Sequence, residues 1–133
     1  KDSLQCQIWN SMFLPVNTSQ KINLEDMIIA LESYITAGAD AILFDSVESS
    51  GDKVRFGGTG KVSNWNVAEK LIQACTIPAF LSGGIQPENV RLAIEKVRPD
   101  GIDLCSGVES KKGKRDREKV IELMQNLQLV SSK

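Results

Sequence analysis

Residues 81–90 read LSGGIQPENV, in which the end of an apolar strand runs into two adjacent glycines and then into the start of a helix. Pro87 and the acidic Glu88 are typical of a first helical turn. A strand that leaves through glycines into a helix is typical of a β/α unit, and such units place their ligands at the carboxyl ends of the strands. The stretch therefore favours an α/β fold and a binding site at that edge.

The same order of strand and helix occurs four times along the chain. The patterns predict strands at residues 7–14, 41–44, 78–82 and 101–106, and helices at residues 24–35, 64–75, 87–97 and 115–129. The central strands are near-continuous apolar runs, as expected where both faces of a parallel sheet are buried. Four parallel strand-helix repeats fit either an open doubly wound sheet or part of a barrel of β/α units.

One segment interrupts this order. Residues 47–61, VESSGDKVRFGGTGK, hold four glycines and several charges without a sustained period. They predict a long loop of the kind that often carries function. The alternative is a disordered surface insertion.

The composition excludes several classes of protein. With 133 residues, 41% of them hydrophobic, the chain is long enough for one domain over residues 1–133. Sixteen basic against seventeen acidic residues give a net charge of -1, so we expect no nucleic-acid or membrane partner. No apolar run approaches the about 20 residues that span a bilayer, and the first residues do not resemble a secretory signal. A soluble, cytoplasmic chain is the expectation.

The chemistry open to the chain is limited by its cysteines and by its lack of histidine. Cys6, Cys75 and Cys105 are odd in number and have no CxxC spacing, which favours neither a disulfide framework nor a zinc cluster. We expect Cys6 and Cys75 to be buried free thiols. Without histidine, Ser-His-Asp and Cys-His chemistry is excluded, so an acid or base must be a carboxylate, Lys, Tyr or Cys.

Two strand exits could bind an anion. Gly83 and Gly84 can bring bare backbone N–H groups close to a phosphate, and the next strand ends in DLCSGVES, where Ser106 and Gly107 offer a hydroxyl and another amide. Aligned amides need no net positive charge, which suits this composition. Either pair alone could also be an ordinary turn.

Two aspartates belong to strands of the same predicted sheet. Asp45 follows the buried run AILF, and burial would raise its carboxyl pKa enough for it to act as an acid near neutral pH; the alternative is a turn cap made by Asp45 and Ser46. Asp103 is enclosed by apolar neighbours and is expected to be buried with a partner or a ligand. The basic run at residues 111–119 is interpreted as a solvated face without chemistry.

In their order and spacing, several segments resemble phosphoribosylanthranilate isomerase, a family of (β/α)8 barrels of tryptophan biosynthesis. The similarity runs from about Asp40 to the last helix, through ADAILFDS, GGTGK with a following Trp65, LSGGIQPENV, VRPDGIDLCSGVES and residues 113–116. Since the chain shows four units rather than eight, the resemblance implies the C-terminal half of a TIM-type barrel. The expectation is a fragment or partial record of a longer enzyme.

The resemblance also implies an activity and roles for residues. Members of the family catalyse an Amadori rearrangement, in which N-(5′-phosphoribosyl)anthranilate opens its ring and becomes an aminoketose phosphate, without a metal or organic cofactor. Asp45 matches the general acid that protonates the furanose ring oxygen. The remaining matches are to the two phosphate loops and to the strand aspartate before the second loop: Gly83, Gly84, Ser106, Gly107 and Asp103.

The chain also departs from the family. Ser63, Asn64 and Trp65 stand where the family usually has Phe-Asp-Trp, and Cys105 stands where serine is common. The family's general base is a cysteine on the first strand of the missing half, and neither Cys6 nor Cys105 occupies that position. A half barrel also leaves two open strand edges and an apolar inner face, so the chain is expected to pair with an N-terminal half or to self-associate. The alternatives to the isomerase are a non-catalytic sugar-phosphate-binding half-barrel and another phosphate-binding barrel enzyme.

Overall fold

A parallel sheet organises the part of the chain described by the computed structural model, which covers residues 6–16, 22–50, 53–56 and 62–131. In chain order the elements are β1 (Trp9–Pro15), α1 (Leu24–Thr36), β2 (Ala41–Ser50), β3 (Lys53–Phe56), α2 (Trp65–Ala74), β4 (Ala79–Leu81), α3 (Val90–Val97), β5 (Gly101–Ile102), β6 (Glu109–Lys111), β7 (Lys114–Arg115) and α4 (Arg117–Ser131). The strands β1, β2, β4 and β5 lie side by side in that order and are parallel. The predicted α/β class of four strand-helix repeats is confirmed.

Side-chain caps explain where the first two helices begin. The side chain of Asn23 accepts a hydrogen bond from the Glu25 amide at 3.2 Å, and Asn64 accepts one from the Val67 amide at 3.3 Å. Each cap satisfies an amide that has no partner within its own helix. Within the described residues, no helix is both long enough and apolar enough to cross a membrane.

The core lies between the helices and one face of the sheet. Alternate residues of each strand point to this face, so paired strands contribute neighbouring apolar side chains, as in the pairs Met12 with Phe44 and Phe44 with Leu81. The buried side chains of the three longer parallel strands on this face are Met12, Leu14, Ile42, Phe44, Ala79 and Leu81. Helix residues such as Leu31 and Leu71 complete the core.

The opposite face of the sheet, which we name the inner face, carries Trp9, Phe13, Leu43 and Phe80 and has no helix against it in the described residues. Trp9 is 51% exposed and Phe13 is 37% exposed. The ring of Trp9 stacks on that of Phe80 with their centroids 4.5 Å apart. Gly101 lies beneath the same phenyl ring, since a Cβ there would come within 2.6 Å of Phe80. The inner face is therefore apolar and half covered.

The prediction of a long loop after β2 is wrong in its first half. β2 continues to Ser50, and β3 returns antiparallel to it, with Val47 opposite Phe56. Val, Ser and Phe residues in these segments suit strands, so the backbone pairs with itself rather than staying irregular. The glycine-rich residues 57–61 lie outside the described residues.

Three boundaries also differ from the predictions. β5 ends at Ile102 instead of residue 106, because the chain turns into a short 3-10 turn at Ser106–Val108. α4 begins at Arg117, since the Asp116 carboxylate accepts hydrogen bonds from two amides of its first turn. Part of the basic run, expected to be a solvated loop, forms the hairpin of β6 and β7. Gly113 in its turn has a φ of +80°, a conformation that glycine adopts at little cost.

The cysteines differ from the prediction as well. Cys6 precedes β1, outside the sheet, and is exposed rather than buried. Cys75 is partly buried, and its thiol donates to the carbonyl oxygen of Ile77 at 3.2 Å. Burial raises the pKa of the Cys75 thiol.

Candidate functional site

The segments that follow β4 and β5, together with Asp45 of β2, surround one cavity of about 920 Å³, which we name the edge cavity. Strands pair in parallel up to this edge, where their exits converge. All six residues singled out in the sequence line the edge cavity: Asp45, Gly83, Gly84, Asp103, Ser106 and Gly107. The structure thus brings together residues from three segments of the chain.

The loop after β4 requires glycine at both of its first positions. Gly83 and Gly84 have φ values of +87° and +68°, the left-handed region that other residues avoid. A Cβ on Gly83 would also lie 2.8 Å from the Cβ of the buried Ser46, so the loop packs directly on β2. Ordinary turns rarely need two such glycines, and this loop is held against the strand that carries Asp45.

Asn89 fixes the shape of this loop, although nothing in the sequence reasoning singled it out. Its side-chain oxygen accepts from the amide of Gln86 at 2.9 Å, and its side-chain nitrogen donates to the carbonyl oxygen of Gly84 at 2.9 Å. The prediction of a helix start at Pro87 is wrong, because α3 begins only at Val90, after this side-chain turn. An asparagine just before a helix is a capping signal that could have drawn attention to it.

The loop after β5 is in direct contact with the loop after β4. A Cβ on Gly107 would overlap the carbonyl oxygen of Ile85, so only glycine allows the two backbones to come this close. Gly107 lies in the 3-10 turn Ser106–Val108. The two glycine-containing loops are therefore one unit rather than two separate turns.

Backbone amides in both loops are left without partners. Sheet pairing ends at Ser82, whose amide donates to the carbonyl oxygen of Phe44 at 2.7 Å. Beyond that point, four amides along the edge cavity donate no hydrogen bond to another described residue: those of Gly83, Gly84, Ser106 and Gly107. Unpaired N–H groups on glycine turns are the usual means by which backbone binds phosphate.

Asp45 lies on the inner-face side of β2, partly buried, in register with Phe13. Its Oδ1 accepts from the amide of Ser46 at 2.6 Å and lies 3.5 Å from the hydroxyl of the same residue. The contacts expected for an Asp-Ser cap are thus present, and they use one carboxylate oxygen. The other oxygen, Oδ2, accepts no hydrogen bond from another described residue and is available to a molecule in the edge cavity.

Asp103 is exposed, so the prediction that it is buried is wrong. β5 ends one residue before it, which places the carboxylate at the rim of the sheet. The hydroxyl of Ser82 donates to Asp103 Oδ2 at 3.3 Å. Ser63, which is buried, donates to the carbonyl oxygen of Ser82 at 3.4 Å. The two serines hold the end of β4 and, through it, orient Asp103.

Asn64, one of the residues at which the chain departs from the family pattern, and the neighbouring Trp65 have structural roles. Asn64 caps α2, and Trp65, the first residue of that helix, packs against the core. The indole nitrogen of Trp65 is buried and has no hydrogen-bond partner among the described residues. Within the described residues, Trp65 is not among those that line the edge cavity.

The sequence reasoning missed a group of lining residues after β5. Cys105, Glu109, Lys111 and Lys112 also line the edge cavity. The thiol of Cys105 donates to Glu109 Oε1 at 3.4 Å, and this hydrogen bond to the carboxylate raises the pKa of the thiol. The sequence pattern does not predict that these residues line the cavity. The position of the two lysines depends on the hairpin of β6 and β7, which folds back to the edge of the sheet.

Comparisons with known proteins agree on one family. A family model described as N-(5'phosphoribosyl)anthranilate (PRA) isomerase matches residues 10–126. The N-(5'-phosphoribosyl)anthranilate isomerase of Aquifex aeolicus is 49% identical over 86 residues, which are 65% of this chain and 40% of that protein. The isomerase of Crocosphaera subtropica is 41% identical over 111 residues, which are 84% of this chain and 50% of that protein.

Solved structures show the same likeness in three dimensions. The N-(5'-phosphoribosyl)anthranilate isomerase of Pyrococcus furiosus superposes with a TM-score of 0.69 at 25% identity, over 97% of this chain and 54% of that one. A structure from Thermotoga maritima, of monomers generated from a dimeric phosphoribosylanthranilate isomerase, superposes with a TM-score of 0.67 at 27% identity. It matches 93% of this chain and 50% of that one. The chain spans about half the length of the relatives that it matches.

Proposed function

The chain belongs to the N-(5'-phosphoribosyl)anthranilate isomerase family, and from this premise we propose that it supplies the phosphate site and the general acid of an isomerase of that type. The reaction is the Amadori rearrangement of N-(5'-phosphoribosyl)anthranilate to the aminodeoxyribulose phosphate. One observation carries the proposal: two touching loops, with four amides that have no partner among the described residues, line the same cavity as Asp45. A phosphate at one end and an acid at the other suit a phosphorylated sugar.

In this mechanism the loops bind and Asp45 transfers a proton. The amides of Gly83, Gly84 and Gly107 bind the phosphate, whose charge their N–H dipoles favour. Asp45 Oδ2 gives its proton to the furanose ring oxygen, so the C1–O bond breaks while the nitrogen lone pair forms the C1–N double bond of a protonated Schiff base. Ser46 holds Oδ1 at 2.6 Å and so fixes the carboxyl plane.

The second half of the reaction needs a base. Removal of the proton on C2 of the Schiff base gives an enol amine, and its tautomerisation to the ketone completes the aminoketose. We assign this base to a segment that precedes the strands described here, following the resemblance to the family. Relatives about twice as long as this chain support the assignment.

The partners follow from the same proposal. The inner face exposes Trp9 and Phe13, and β1 and β5 are the edge strands of the parallel sheet. We propose that further β/α units of an N-terminal half cover this face, and that a second copy covers it where that half is absent. Three free cysteines are in keeping with a cytoplasmic location.

A second candidate is a sugar-phosphate-binding module without catalysis. It is favoured by the fact that this chain supplies both phosphate loops from its own residues, whereas the proposed base lies outside it. The candidate predicts binding of the substrate without turnover, even when the barrel is completed.

The test of the isomerase is a turnover measurement. The chain is combined with the preceding half of the Crocosphaera subtropica relative, and conversion of N-(5'-phosphoribosyl)anthranilate is followed. We expect conversion by the combined protein and a loss of about 10²- to 10⁴-fold with Asp45→Asn, because the ring oxygen then lacks its proton donor.

Asp116→Asn is the matched control for that measurement. Asp116 caps α4 and does not line the edge cavity, and asparagine also caps helices, so its turnover should stay close to that of the unsubstituted chain. Equal turnover by Asp45→Asn and Asp116→Asn would remove Asp45 as the acid. Binding without turnover by the unsubstituted combined protein would favour the module.

A further inference from the structure

The edge cavity carries negatively charged side chains, which oppose the binding of an anionic ligand. Besides Asp45, the proton donor of the proposed function, the carboxylates of Asp103 and Glu109 line it. A phosphate dianion is repelled by like charges, and unpaired amides offer only partial positive charge. Full positive charge near the phosphate loops would offset this repulsion and strengthen the binding of such a ligand beyond what the amides provide.

Two lysines at the cavity are available to supply that charge. Lys111 and Lys112 both line the edge cavity, and both are exposed. Neither lies within 4 Å of a carboxylate among the described residues, where the ion pairs are those of Arg91 with Glu95 and of Arg117 with Glu118. With respect to the carboxylates that the structure describes, no ion pair of these ammonium groups therefore has to break when a ligand arrives.

The backbone that carries the lysines is anchored beside the second phosphate loop. The hydroxyl of Ser110 donates to the carbonyl oxygen of Lys114 at 3.3 Å and closes the hairpin. The amide of Asp116 donates to the carbonyl oxygen of Val108 at 2.7 Å, and the ammonium group of Lys119 donates to that of Glu109 at 2.9 Å. These bonds tie the hairpin of β6 and β7 to the end of the 3-10 turn that contains Gly107.

We propose that Lys111 and Lys112 form a cationic rim that binds the phosphate dianion together with the amides of the two loops. The proposal rests on the phosphate site of the proposed function and adds to it the charges that select a dianion. Lysine suits the role because its ammonium group is a compact point charge on a flexible stem, which can follow a phosphate oxygen. Affinity for phosphate is then partly Coulombic and falls with ionic strength.

The test titrates the full chain with inorganic phosphate at low and at high salt, and follows the amide resonances of Gly83, Gly84 and Gly107 by NMR. We expect Lys111→Ala/Lys112→Ala to weaken phosphate binding by about tenfold at low ionic strength. The difference should shrink at about 0.5 M salt, because screening removes the Coulombic part. Resonances of the three glycines show that the phosphate is bound at the loops.

The matched control is Lys70→Ala/Lys114→Ala, which removes the same charge from exposed residues that do not line the cavity. It should bind phosphate within about twofold of the unsubstituted chain. Equal affinities of the two double variants, or a loss that is unchanged at high salt, would overturn the cationic rim. So would an unsubstituted chain that does not bind phosphate. Turnover is measured separately. The phosphate titration can therefore contradict the cationic rim while turnover supports the isomerase, and turnover can contradict the isomerase while the titration supports the rim.

Discussion

Gly107 is the residue at which the two phosphate loops come into contact. Because a Cβ there would overlap the carbonyl oxygen of Ile85, Gly107→Ala must move one backbone away from the other. We expect a loss of about 1–3 kcal/mol in the free energy of unfolding and a strong loss of phosphate affinity. Urea unfolding and a phosphate titration measure the two effects.

Gly113→Ala is the comparison for that substitution. It adds the same methyl group in the neighbouring hairpin, where no atom lies within 4 Å of the added carbon. Its cost comes only from the φ of +80° and should be about 1 kcal/mol. If Gly107→Ala binds phosphate as well as Gly113→Ala does, the contact of the two loops is not needed for the site.

The thiol of Cys105 reports on the charge of the edge cavity. Glu109 raises the pKa of Cys105 by its hydrogen bond and its negative charge, both of which disfavour the thiolate. Glu109→Gln should therefore lower the pKa and increase the rate of alkylation of Cys105 at pH 8 by about 2- to 5-fold. Mass spectrometry after iodoacetamide treatment, over a range of pH, follows this rate peptide by peptide.

Glu118→Gln removes an equal charge from the exposed start of α4 and should leave the alkylation of Cys105 unchanged. A rate profile of Cys105 that is the same in both variants would show that Glu109 does not control the thiol.

At the scale of elements, the side chain of Asn89 stabilises the loop that connects β4 to α3. Asn89→Ala removes two hydrogen bonds, to the amide of Gln86 and to the carbonyl oxygen of Gly84. We expect a stability loss of about 1–2 kcal/mol and, because the carbonyl of Gly84 no longer holds the loop in its shape, weaker phosphate binding. Both are measured on the same samples, by urea unfolding and phosphate titration.

If Asn89 acted only through stability, any variant with a similar loss of stability would lose phosphate affinity as well. Asn126 provides that comparison. Its side chain donates from α4 to the carbonyl oxygen of Pro87 at 2.8 Å, on the same connection but outside the edge cavity. Asn126→Ala should lose similar stability and keep its phosphate affinity. Parallel losses of affinity in both variants would assign Asn89 to stability alone.

The order of the elements could be predicted from sequence because each depends on a local pattern. The apolar run at residues 41–44 predicts a buried strand, and the helical spacing from Leu24 to Ile35 predicts α1. The glycine pairs and Asp45 could be predicted as candidates because strand exits converge in parallel sheets. Contacts between distant segments could not be predicted in this way.

The errors share this non-local cause. The exposure of Asp103 depends on where β5 stops pairing with β4, and the place of Lys111 at the cavity depends on a hairpin that folds back from the second loop. The extension of β2 to Ser50 depends on its pairing with β3. In each case the residue pattern of the segment does not determine with which other segment it pairs.

At the scale of the whole molecule, the two faces of the sheet are unequal. One is buried by helices, and its side chains, such as Phe44 and Leu81, are inaccessible. The inner face carries the stacked rings of Trp9 and Phe80, with the partly exposed Phe13 beside them, and no described helix covers it. In barrels of β/α units, residues on this side fill the interior in layers. The family relationship and the apolar inner face thus support the same proposal, that further strands complete the sheet.

The exposed inner face predicts how this chain associates when it is alone in solution. With no other cover, two copies should associate through it, so Trp9→Gln/Phe13→Gln should shift the chain toward monomer in sedimentation velocity, by about tenfold or more in dissociation constant. The matched control is Ile29→Gln/Leu92→Gln, which changes helix residues that are 63% and 59% exposed. Scattered apolar residues on helices are ordinary surface, so this control should associate like the unsubstituted chain. Association that both pairs weaken equally, or that neither pair weakens, would rule out the inner face as the contact between copies.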